Sequence, residues 1–395
     1  MGDETTTAMG GQTRRGMLLA AGVLSGATLV PSFAKAVMPE MSARRRLGPL
    51  EVSPLGLGTM NFTGTYGPRP SREDAIRVMR TAFARGVTFY DTAQAYGPFL
   101  SEELVGEALE PYRGRVVFAT KFGYEIDPVT NRTVGLNSRP DYLKRSVEGS
   151  LRRLRVEAID LLYQHRIDPK VPIEDVAGAV ADLIRDGKVR HFGLSEAGAA
   201  TIRRAYAVQP LAAVTNEYSV WTRDPEGEVI PVCEELGIGL SPWSPTGEGF
   251  LSGTVTDATQ LDPKTDIRAS YKFPRFSPEA LRANRPLVDL LRSIARRHDA
   301  TPVQVALAWL LARKPWVVPV FGTTRVDHLE ENLGASGLRL TDADMTDIQA
   351  GFDRIGVHGK RFPPVVLGMS DTGAVIGTSS LGGHGKSPLP LPSTR

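Results

Sequence analysis

Eight short apolar runs alternate with longer amphipathic stretches from about residue 55 to the end of the regular part of the chain. Glycines mark several points where a helical pattern gives way to an apolar run, as at Gly86, Gly187 and Gly237. The alternation predicts βα units and a parallel sheet. The predicted strands are Leu55–Thr59, Val87–Asp91, Arg115–Lys121, Ala158–His165, Val189–Ser195, Leu211–Asn216, Ile238–Pro242 and Trp316–Val320.

Eight consecutive βα units favour one (β/α)8 TIM barrel, a single α/β domain over residues 47–352. The competing topology is a doubly wound open sheet, which would carry a Gly-rich phosphate loop after its first strand. Here Gly56-Leu57-Gly58 is followed by Thr59-Met60-Asn61, without the third glycine of that fingerprint. The sequence therefore favours the closed barrel.

Two regions fall outside the repeat. Residues 247–280, after the seventh strand, are rich in Gly, Asp, Thr and Pro, and a loop of that length in a compact domain is usually functional. Residues 356–395 are Gly/Pro-rich with little periodicity and predict an extended C-terminal tail.

The first 36 residues have the pattern of a twin-arginine-type signal segment. Arg14-Arg15 precedes an apolar run that ends at Val30, and Ala34-Lys35-Ala36 follows it. We expect the twin-arginine export machinery as a partner, an exported or periplasmic location, and no stable membrane insertion once the signal is removed. A cytoplasmic protein with a disordered N-terminal tail, or an uncleaved membrane anchor, is the alternative.

Composition disfavours several other classes of protein. The net charge is +3 and the basic residues interleave with acidic ones, so no nucleic-acid partner is expected. The single cysteine, Cys233, rules out an internal disulfide and predicts a buried structural thiol. A metal-dependent barrel hydrolase would need a His-x-His pair or a carboxylate cluster, and none of the six histidines is paired in that way. We expect no metal and a monomer.

Ionisable side chains end three consecutive predicted strands: Asp91, Lys121 and His165. The active site of a (β/α)8 barrel forms where the C-terminal ends of its strands meet, and Tyr96 lies in the loop just after Asp91. Any one of these side chains alone would more often form a surface ion pair or a satisfied core contact. Four of them at neighbouring strand ends predict a catalytic group.

The chemistry of these four side chains suits proton transfer to a carbonyl oxygen. A phenol titrates at a pKa of about 10, too high for efficient acid–base work near neutrality, and a neighbouring ammonium lowers that pKa. We expect Asp91 to hold Lys121 charged, Lys121 to tune Tyr96, and His165 to orient the substrate oxygen. The set would protonate a carbonyl oxygen while a hydride arrives at the carbon.

These residues stand in segments that resemble the catalytic motifs of the aldo-keto reductases. The segments are Asp91-Thr92-Ala93-Gln94-Ala95-Tyr96-Gly97, Ala119-Thr120-Lys121 and Gln164-His165-Arg166-Ile167-Asp168. The resemblance runs from about Leu47 to Phe352 and is greatest to the perakine-reductase-like bacterial and plant branch. It implies an NADP-dependent reductase of aldehydes or ketones, with NAD as a possible cofactor, and Tyr96 as the general acid.

The resemblance also implies which residues bind the nicotinamide cofactor. Ser195 would bind the carboxamide, Trp243 would face the nicotinamide ring, and Arg325 would offer charge to a 2′-phosphate. The implied cofactor-binding residues are Gly58, Thr59, Met60, Asp91, Ser195, Glu196, Thr215, Asn216, Trp243, Ser244, Pro245, Gly247, Gly322, Thr323, Thr324, Arg325, His328, Glu331 and Asn332.

Four positions depart from the pattern of the family. Thr215 replaces a glutamine that binds the carboxamide, Glu248 stands where a basic residue often lies near the diphosphate, Phe321 replaces a proline, and His328 replaces an arginine at the 2′-phosphate. These departures keep open a second function, a cofactor-binding sensor or regulatory barrel with little turnover.

The substrate is expected to be a small carbonyl compound in an aromatic pocket. The predicted lining comprises Phe62, Tyr66, Tyr96, Phe99, Trp221 and residues of the 247–280 loop. Such a lining suits hydrophobic aldehydes, ketones or quinones. Packing in the hydrophobic core is the alternative role for each of the aromatic residues outside the catalytic group.

Overall fold

The computed structural model describes Met41 and residues 43–371. The predicted signal segment, residues 1–36, lies outside the described residues, and so do residues 372–395 of the predicted tail. No helix in the described part of the chain is both long and apolar enough to cross a membrane.

The strands within the described residues form one large parallel sheet and two antiparallel hairpins. The strands are β1 (Arg45–Leu47), β2 (Leu50–Val52), β3 (Gly56–Gly58), β4 (Phe89–Asp91), β5 (Val117–Phe122), β6 (Tyr124–Ile126), β7 (Thr133–Leu136), β8 (Ile159–Gln164), β9 (Val189–Ser195), β10 (Leu211–Thr215), β11 (Gly239–Leu240) and β12 (Val320–Gly322).

The parallel sheet closes into a barrel. Its order is β11-β10-β9-β8-β5-β4-β3-β12, which is sequence order apart from the return of β12 to β3. The two ends of this order are joined because Leu240 bridges Val317 and the Val320 amide donates to the carbonyl of Pro242 at 2.8 Å. The predicted (β/α)8 barrel is therefore confirmed, with each predicted strand overlapping or adjoining an observed one.

The barrel interior and the barrel wall form separate layers of the core. All residues of β8 and β10 are buried, which is why these strands are near-continuous apolar runs in the sequence. Inside the barrel, Phe89, Leu161 and Tyr163 pack with Leu47 and Val52 of the β1–β2 hairpin. The hairpin thus closes the N-terminal end of the barrel and leaves the C-terminal end for the site.

Helices surround the barrel and follow its strands. They are α1 (Arg72–Ala84), α2 (Leu100–Leu109), α3 (Pro140–Leu154), α4 (Ile173–Arg185), α5 (Ala199–Val208), α6 (Val229–Leu236), α7 (Ile267–Ser270), α8 (Pro278–Arg297), α9 (Pro302–Arg313), α10 (Val326–Leu333), α11 (Asp342–Ile355) and α12 (Pro364–Leu367). Thr301 caps α9 by accepting from the Gln304 amide, while Gly237 ends α6 in the left-handed conformation. Cys233 on α6 is buried, as predicted, and burial raises the pKa of its thiol to about 12.

The connection between β11 and α8 is long and folded onto the barrel mouth. It contains α7 and three short 3-10 turns, and its side chains Phe250, Leu251, Phe273 and Phe276 are buried. Residues 356–371, the first part of the predicted tail, also pack on the barrel rather than extending from it. Arg361 and Phe362 in this segment are buried, and α12 follows them.

Candidate active site

A cavity of about 370 Å³ opens at the C-terminal ends of the barrel strands. Asp91 at the end of β4, Lys121 on β5 and His165 just after β8 all line it, together with Tyr96 from the loop after β4. The structure therefore brings the four predicted catalytic side chains to one opening. Each is there because a buried apolar strand ends at the mouth of the barrel.

Lys121 is held between a carboxylate and a phenol. Its Nζ donates to Asp91 Oδ1 and, at 2.8 Å, to the carbonyl oxygen of Thr92. The same Nζ lies 4.9 Å from the centre of the Tyr96 ring. Asp91 and Lys121 are only 6% and 4% exposed, so this ion pair is shielded from bulk water. Asp91 Oδ2 has no hydrogen-bond partner among the described residues.

Burial dominates the titration of this group. Burial raises the pKa of Tyr96, and the opposing effect of Lys121 does not reverse it. Lys121 lowers the pKa of Tyr96, as expected, but desolvation of the phenolate outweighs the nearby charge and the resulting pKa is raised. Burial also raises the pKa of Asp91. Burial alone would lower the pKa of Lys121, but Asp91 and then Tyr96 outweigh it and raise that pKa. The phenol consequently stays protonated at neutral pH and the amine stays charged.

His165 is a buried, neutral imidazole beside Tyr96. Its ring centre lies 5.6 Å from that of Tyr96 and 4.9 Å from that of Tyr124, edge-on in both cases. Burial, then the cations of Arg166 and Lys121, lower the pKa of His165 well below its usual value. His165 Nδ1 has no hydrogen-bond partner within the described part of the chain. A neutral ring with a free nitrogen can orient a substrate oxygen without competing for the proton of Tyr96.

Two predicted nicotinamide contacts stand on the next wall of the cavity. Ser195, at the end of β9, and Trp243, after β11, both line it. Arg166 lies between them: its Nη1 donates to Ser195 Oγ at 3.2 Å, and its guanidinium carbon is 5.9 Å from the Trp243 ring. A hydroxyl and a flat indole face, next to Asp91 and Lys121, suit a carboxamide-bearing aromatic ring.

Three further residues predicted to bind the cofactor do not line the cavity. Glu196 is buried and its carboxylate is bound to Arg361 at 2.5 Å. Thr215 is buried and donates to the Ser241 carbonyl at 2.6 Å, and Asn216 is equally buried. Their side chains serve contacts within the protein, so these three placements differ from the prediction.

The predicted diphosphate region is a turn in which two non-glycine residues, Ser244 and Glu248, have positive φ angles of 47° and 54°. Ser244 and Pro245 line the cavity, and so does Glu248, whereas Gly247 packs against Trp221. Burial and then the Glu217 carboxylate raise the pKa of Glu248 to about 8. The cavity wall therefore carries the carboxyl group of Glu248 in a region where a cation would stabilise a cofactor diphosphate.

The predicted 2′-phosphate region lies at the start of α10. Gly322, which ends β12 just before this region, lines the cavity together with Gly58, Thr59 and Met60 from the end of β3 and the loop after it. A side chain on Gly322 would come within 2.4 Å of Asn61, so glycine permits this close approach of the two loops. Beyond Gly322, Arg325 Nε donates to Asp327 Oδ1 at 3.0 Å, and Arg325 Nη2 donates to Asp327 Oδ2.

The remaining residues of that stretch lie outside the cavity wall: Thr323, Thr324, His328, Glu331 and Asn332. Thr323 and Asn332 are buried, and the Glu331 carbonyl accepts from Gln304 at 2.8 Å. These residues extend from just before α10 to near its C-terminal end, and none of them lines the cavity.

The predicted aromatic lining is only partly brought to the cavity. Tyr66 and Tyr96 line it, but Phe62, Phe99 and Trp221 are not part of its described wall. Phe62 is fully buried in the core, and Trp221 stacks on Phe250 with ring centres 4.3 Å apart. Phe99 lies under the guanidinium of Arg153, 4.3 Å from its carbon. For Phe62 and Trp221 the alternative role in the hydrophobic core prevails, whereas Phe99 is partly buried and contacts Arg153.

Comparison with known proteins identifies the family. The sequence model of the aldo/keto reductase family matches residues 54–351, which is most of the chain. The chain belongs to the aldo/keto reductase family. A probable aldo-keto reductase of Glycine max is 42% identical over 313 residues, covering 79% of this chain and 89% of the relative. Membership implies reduction of carbonyl compounds with a nicotinamide cofactor.

Solved structures of aldo/keto reductases have the same fold. A glycerol dehydrogenase of Gluconobacter oxydans is 28% identical with a TM-score of 0.72, covering 79% of this chain and 95% of that chain. An aldo-keto reductase of Bacillus halodurans, in its holo form, is 25% identical with a TM-score of 0.64, covering 78% and 95%. A thermostable aldo-keto reductase bound to the inhibitor epalrestat is 29% identical with a TM-score of 0.61, covering 80% of this chain and all of that one.

Parts of the cavity wall of this aldo/keto reductase were not foreseen from the sequence. Tyr124 and Thr133 come from the β6–β7 hairpin, which follows β5 directly. Phe362, Val366 and Met369 come from the segment that was expected to extend away as a tail. The alternating Thr133–Leu136 stretch is a weak strand signal that could have indicated the hairpin, but the C-terminal segment has no periodic pattern. Among the described residues, no group of three or more His, Cys, Asp or Glu side chains is arranged to hold a metal ion.

Proposed function

We propose that this aldo/keto reductase reduces a hydrophobic aldehyde or ketone to the alcohol, with Tyr96 as the general acid. The observation that carries the proposal is the meeting of Tyr96, Lys121, Asp91 and His165 at one cavity. A phenol with a raised pKa holds its proton until a developing alkoxide can take it. A proton donor at this cavity suits the reduction of carbonyl compounds that membership of the family implies.

The reaction divides between the cofactor and the side chains. Ser195 and Trp243 would hold a reduced nicotinamide, and the chemistry that this cofactor would supply is a hydride for the carbonyl carbon. As the C–H bond forms, the carbon–oxygen double bond opens, and Tyr96 gives its proton to that oxygen. The ammonium of Lys121 stabilises the phenolate that remains, and Asp91 keeps Lys121 charged. The His165 ring, held edge-on to Tyr96, positions the substrate oxygen by a hydrogen bond.

NADP is the proposed cofactor, and Arg325 is the residue proposed to favour it over NAD. Arg325 is exposed and next to the N-terminus of α10, where a phosphate would be stabilised. Its guanidinium is already paired with Asp327, so the preference depends on how far a 2′-phosphate displaces that carboxylate. Arg325→Ala should weaken NADPH binding by about tenfold and leave NADH binding unchanged. A tenfold preference of the wild type for NADH in hydride transfer would overturn the choice of NADP.

A hydrophobic carbonyl compound is proposed because two segments contribute apolar side chains to the cavity. Ile267, Tyr271 and Phe273 from the long connection line it together with Phe362 and Met369 from the C-terminal segment, and the Phe273 and Phe362 ring centres are 4.9 Å apart. Such walls stabilise aliphatic or aromatic groups by removing them from water. We propose that these two segments set the substrate specificity of the chain, and that the chain belongs to the perakine-reductase-like branch of the family.

The test is a panel of aldehydes, ketones and quinones assayed with NADPH and NADH on the purified chain and on Tyr96→Phe. We expect multiple turnovers by the wild type and a kcat about 10²- to 10⁴-fold lower for Tyr96→Phe, with cofactor affinity unchanged. Tyr206→Phe is the matched control, because the Tyr206 hydroxyl bonds to the Leu236 carbonyl on the outside of the barrel. Equal activity of Tyr96→Phe and Tyr206→Phe would rule out the role of Tyr96.

We also propose that residues 1–36 direct the chain to export by the twin-arginine pathway and that the mature chain is a monomer. Arg14-Arg15, the apolar run after it and Ala34-Lys35-Ala36 support the first part. Replacing Arg14 and Arg15 by lysine should keep the chain in the cytoplasm, as followed by cell fractionation. Equal distribution of the wild type and the double variant would refute export by this pathway.

A further inference from the structure

The C-terminal segment crosses the mouth of the barrel and is fastened at both ends. We call residues 357–371 the C-terminal strap. At its start the His358 amide donates to Asn284 Oδ1 at 2.9 Å on α8. At its end the Asp371 carboxylate accepts from the Gly198 amide at 2.9 Å, at the start of α5. The strap is therefore attached to α8 at one end and to the start of α5 at the other.

Glu196 is the centre of the strap's attachment. Its Oε2 accepts from Arg361 Nη2 at 2.5 Å and from Ser370 Oγ at 2.7 Å, and its carbonyl accepts from the Asp371 amide at 3.0 Å. Glu196 and Arg361 are 1% and 9% exposed. A buried carboxylate with these donors is strongly favoured in its charged form, and its pKa is lowered to about 2 because the nearby guanidinium groups and hydrogen bonds outweigh burial.

The other oxygen of Glu196 reaches the indole of the site. Glu196 Oε1 accepts from the Glu217 amide at 2.8 Å and from Trp243 Nε1 at 3.2 Å. On the strap, the Phe362 ring is roughly parallel to that of Trp243, with centres 6.0 Å apart. One carboxylate thus holds the strap through Oε2 and Trp243 through Oε1.

The inner side of the strap is a wall of the catalytic cavity. Phe362, Val366 and Met369 line the same opening as Tyr96 and His165. Phe362 also packs edge-on against Phe273 of the long connection, with ring centres 4.9 Å apart. A shift of the strap would therefore enlarge the apolar part of the cavity without moving the strand ends that carry Asp91 and Lys121.

We propose that Glu196 and Arg361 are positioning residues that hold the strap in place, so that the strap sets which carbonyl substrates the site accepts. This rests on the proposed carbonyl reduction. Arg361 also lies 3.6 Å from Glu217 and 3.9 Å from Asp224, so its charge is surrounded by carboxylates. Removing Arg361 leaves the buried Glu196 carboxylate without this cation, and removing the Glu196 carboxylate weakens the acceptor that Arg361 and Ser370 share. Either change makes opening of the strap easier.

The test compares Arg361→Met and Arg361→Lys with the wild type on propanal and on 2-naphthaldehyde. We expect Arg361→Met to raise the KM for the aromatic aldehyde about tenfold or more, with kcat and the KM for propanal changed less than about threefold. Arg361→Lys should restore most of the loss. The matched control is Arg204→Met, which breaks an exposed ion pair with Glu174.

Hydrogen–deuterium exchange gives a readout that needs no turnover. Amides of peptides within residues 357–371 should exchange about tenfold faster or more in Arg361→Met and Glu196→Gln, while β4 and β5 keep their protection. Unchanged exchange of the strap would overturn the proposal, and so would an equal loss of kcat for both aldehydes. If the wild type reduces no carbonyl compound, quenching of tryptophan fluorescence by 2-naphthaldehyde replaces KM, so failure of the proposed function remains distinguishable from failure of the strap's role.

Discussion

The Nζ of Lys121 lies 4.9 Å from the centre of the Tyr96 ring. The charge of Lys121 lowers the pKa of Tyr96 and burial raises it, and the effect of burial is the larger of the two. Tyr96 is therefore an acid that keeps its proton until charge develops beside it. The lysine acts on the phenolate, which exists only after that proton has left.

Lys121→Met should lower kcat for carbonyl reduction about 100-fold, because the phenolate of Tyr96 loses the charge that stabilises it. In the wild type, Tyr96 is fully protonated at pH values well below its raised pKa. The rate of reduction should therefore stay constant between about pH 6 and 9 and fall only at higher pH. In Lys121→Met that fall should move higher still, since the amine works to lower the pKa. The pH profile of kcat/KM measures both. Lys144→Met, which breaks an exposed ion pair with Asp182, is the control. A kcat for Lys121→Met within threefold of the kcat for Lys144→Met would contradict the role of Lys121.

His165 should not titrate in the working range of the enzyme. Burial and the nearby cations lower its pKa well below the usual value, so the imidazole is neutral across neutral and mildly acidic pH. The wild-type profile of kcat/KM should lack an acidic limb near pH 6.5. His165→Asn should lower kcat/KM about 100-fold at every pH in that range, because a donor to the substrate oxygen is displaced. His191→Asn, at the start of β9, is the control. A limb near pH 6.5 that disappears in His165→Asn would show that the ring is charged below it.

Cofactor affinity should fall as Glu248 ionises. Its pKa is raised to about 8, so the carboxyl is mostly neutral at pH 7 and mostly charged at pH 9, where it would repel a diphosphate. We expect the Kd for NADH to rise about tenfold over that interval in the wild type and to stay flat in Glu248→Gln. NADH is the probe because a 2′-phosphate titrates at about pH 6 on its own. The measurement is nicotinamide fluorescence, with exposed Glu279→Gln as the control. An equal pH dependence in Glu248→Gln and Glu279→Gln would mean that Glu248 points away from the diphosphate.

The barrel and the catalytic group follow from local sequence signals. Strands such as β8 are buried on both faces, so they read as continuous apolar runs, and the residue at the end of each run must lie at the barrel mouth. That rule alone places Asp91, Lys121 and His165 together. Tyr96 follows because its loop is too short to leave the same opening.

The rest of the site depends on contacts between distant parts of the chain. The sequence predicts Glu196, next to Ser195, as a cofactor-binding residue. Its ion-pair partner, Arg361, lies in a segment whose sequence has no periodicity. Phe62 and Trp221 were placed in the pocket by their aromatic character, although burial in a core satisfies the same property. Sequence position cannot distinguish these outcomes, since both depend on which face of a loop packs inward.

Stability away from the cavity should depend on Arg153, which holds the carboxylate of Glu102. Glu102 is fully buried, and its two oxygens accept from Arg153 Nε and from Thr120 Oγ1, both at 2.6 Å. Arg153→Met should lower the free energy of unfolding by about 3–5 kcal/mol, because it leaves a buried carboxylate without its cation. Adding Glu102→Leu should recover most of that loss, since the unpaired charge is then removed with its partner. Urea denaturation measures both, with Arg145→Met at an exposed pair as the control. KM should not change in any of them, and a loss in Arg153→Met no larger than the control's would mean that water reaches Glu102.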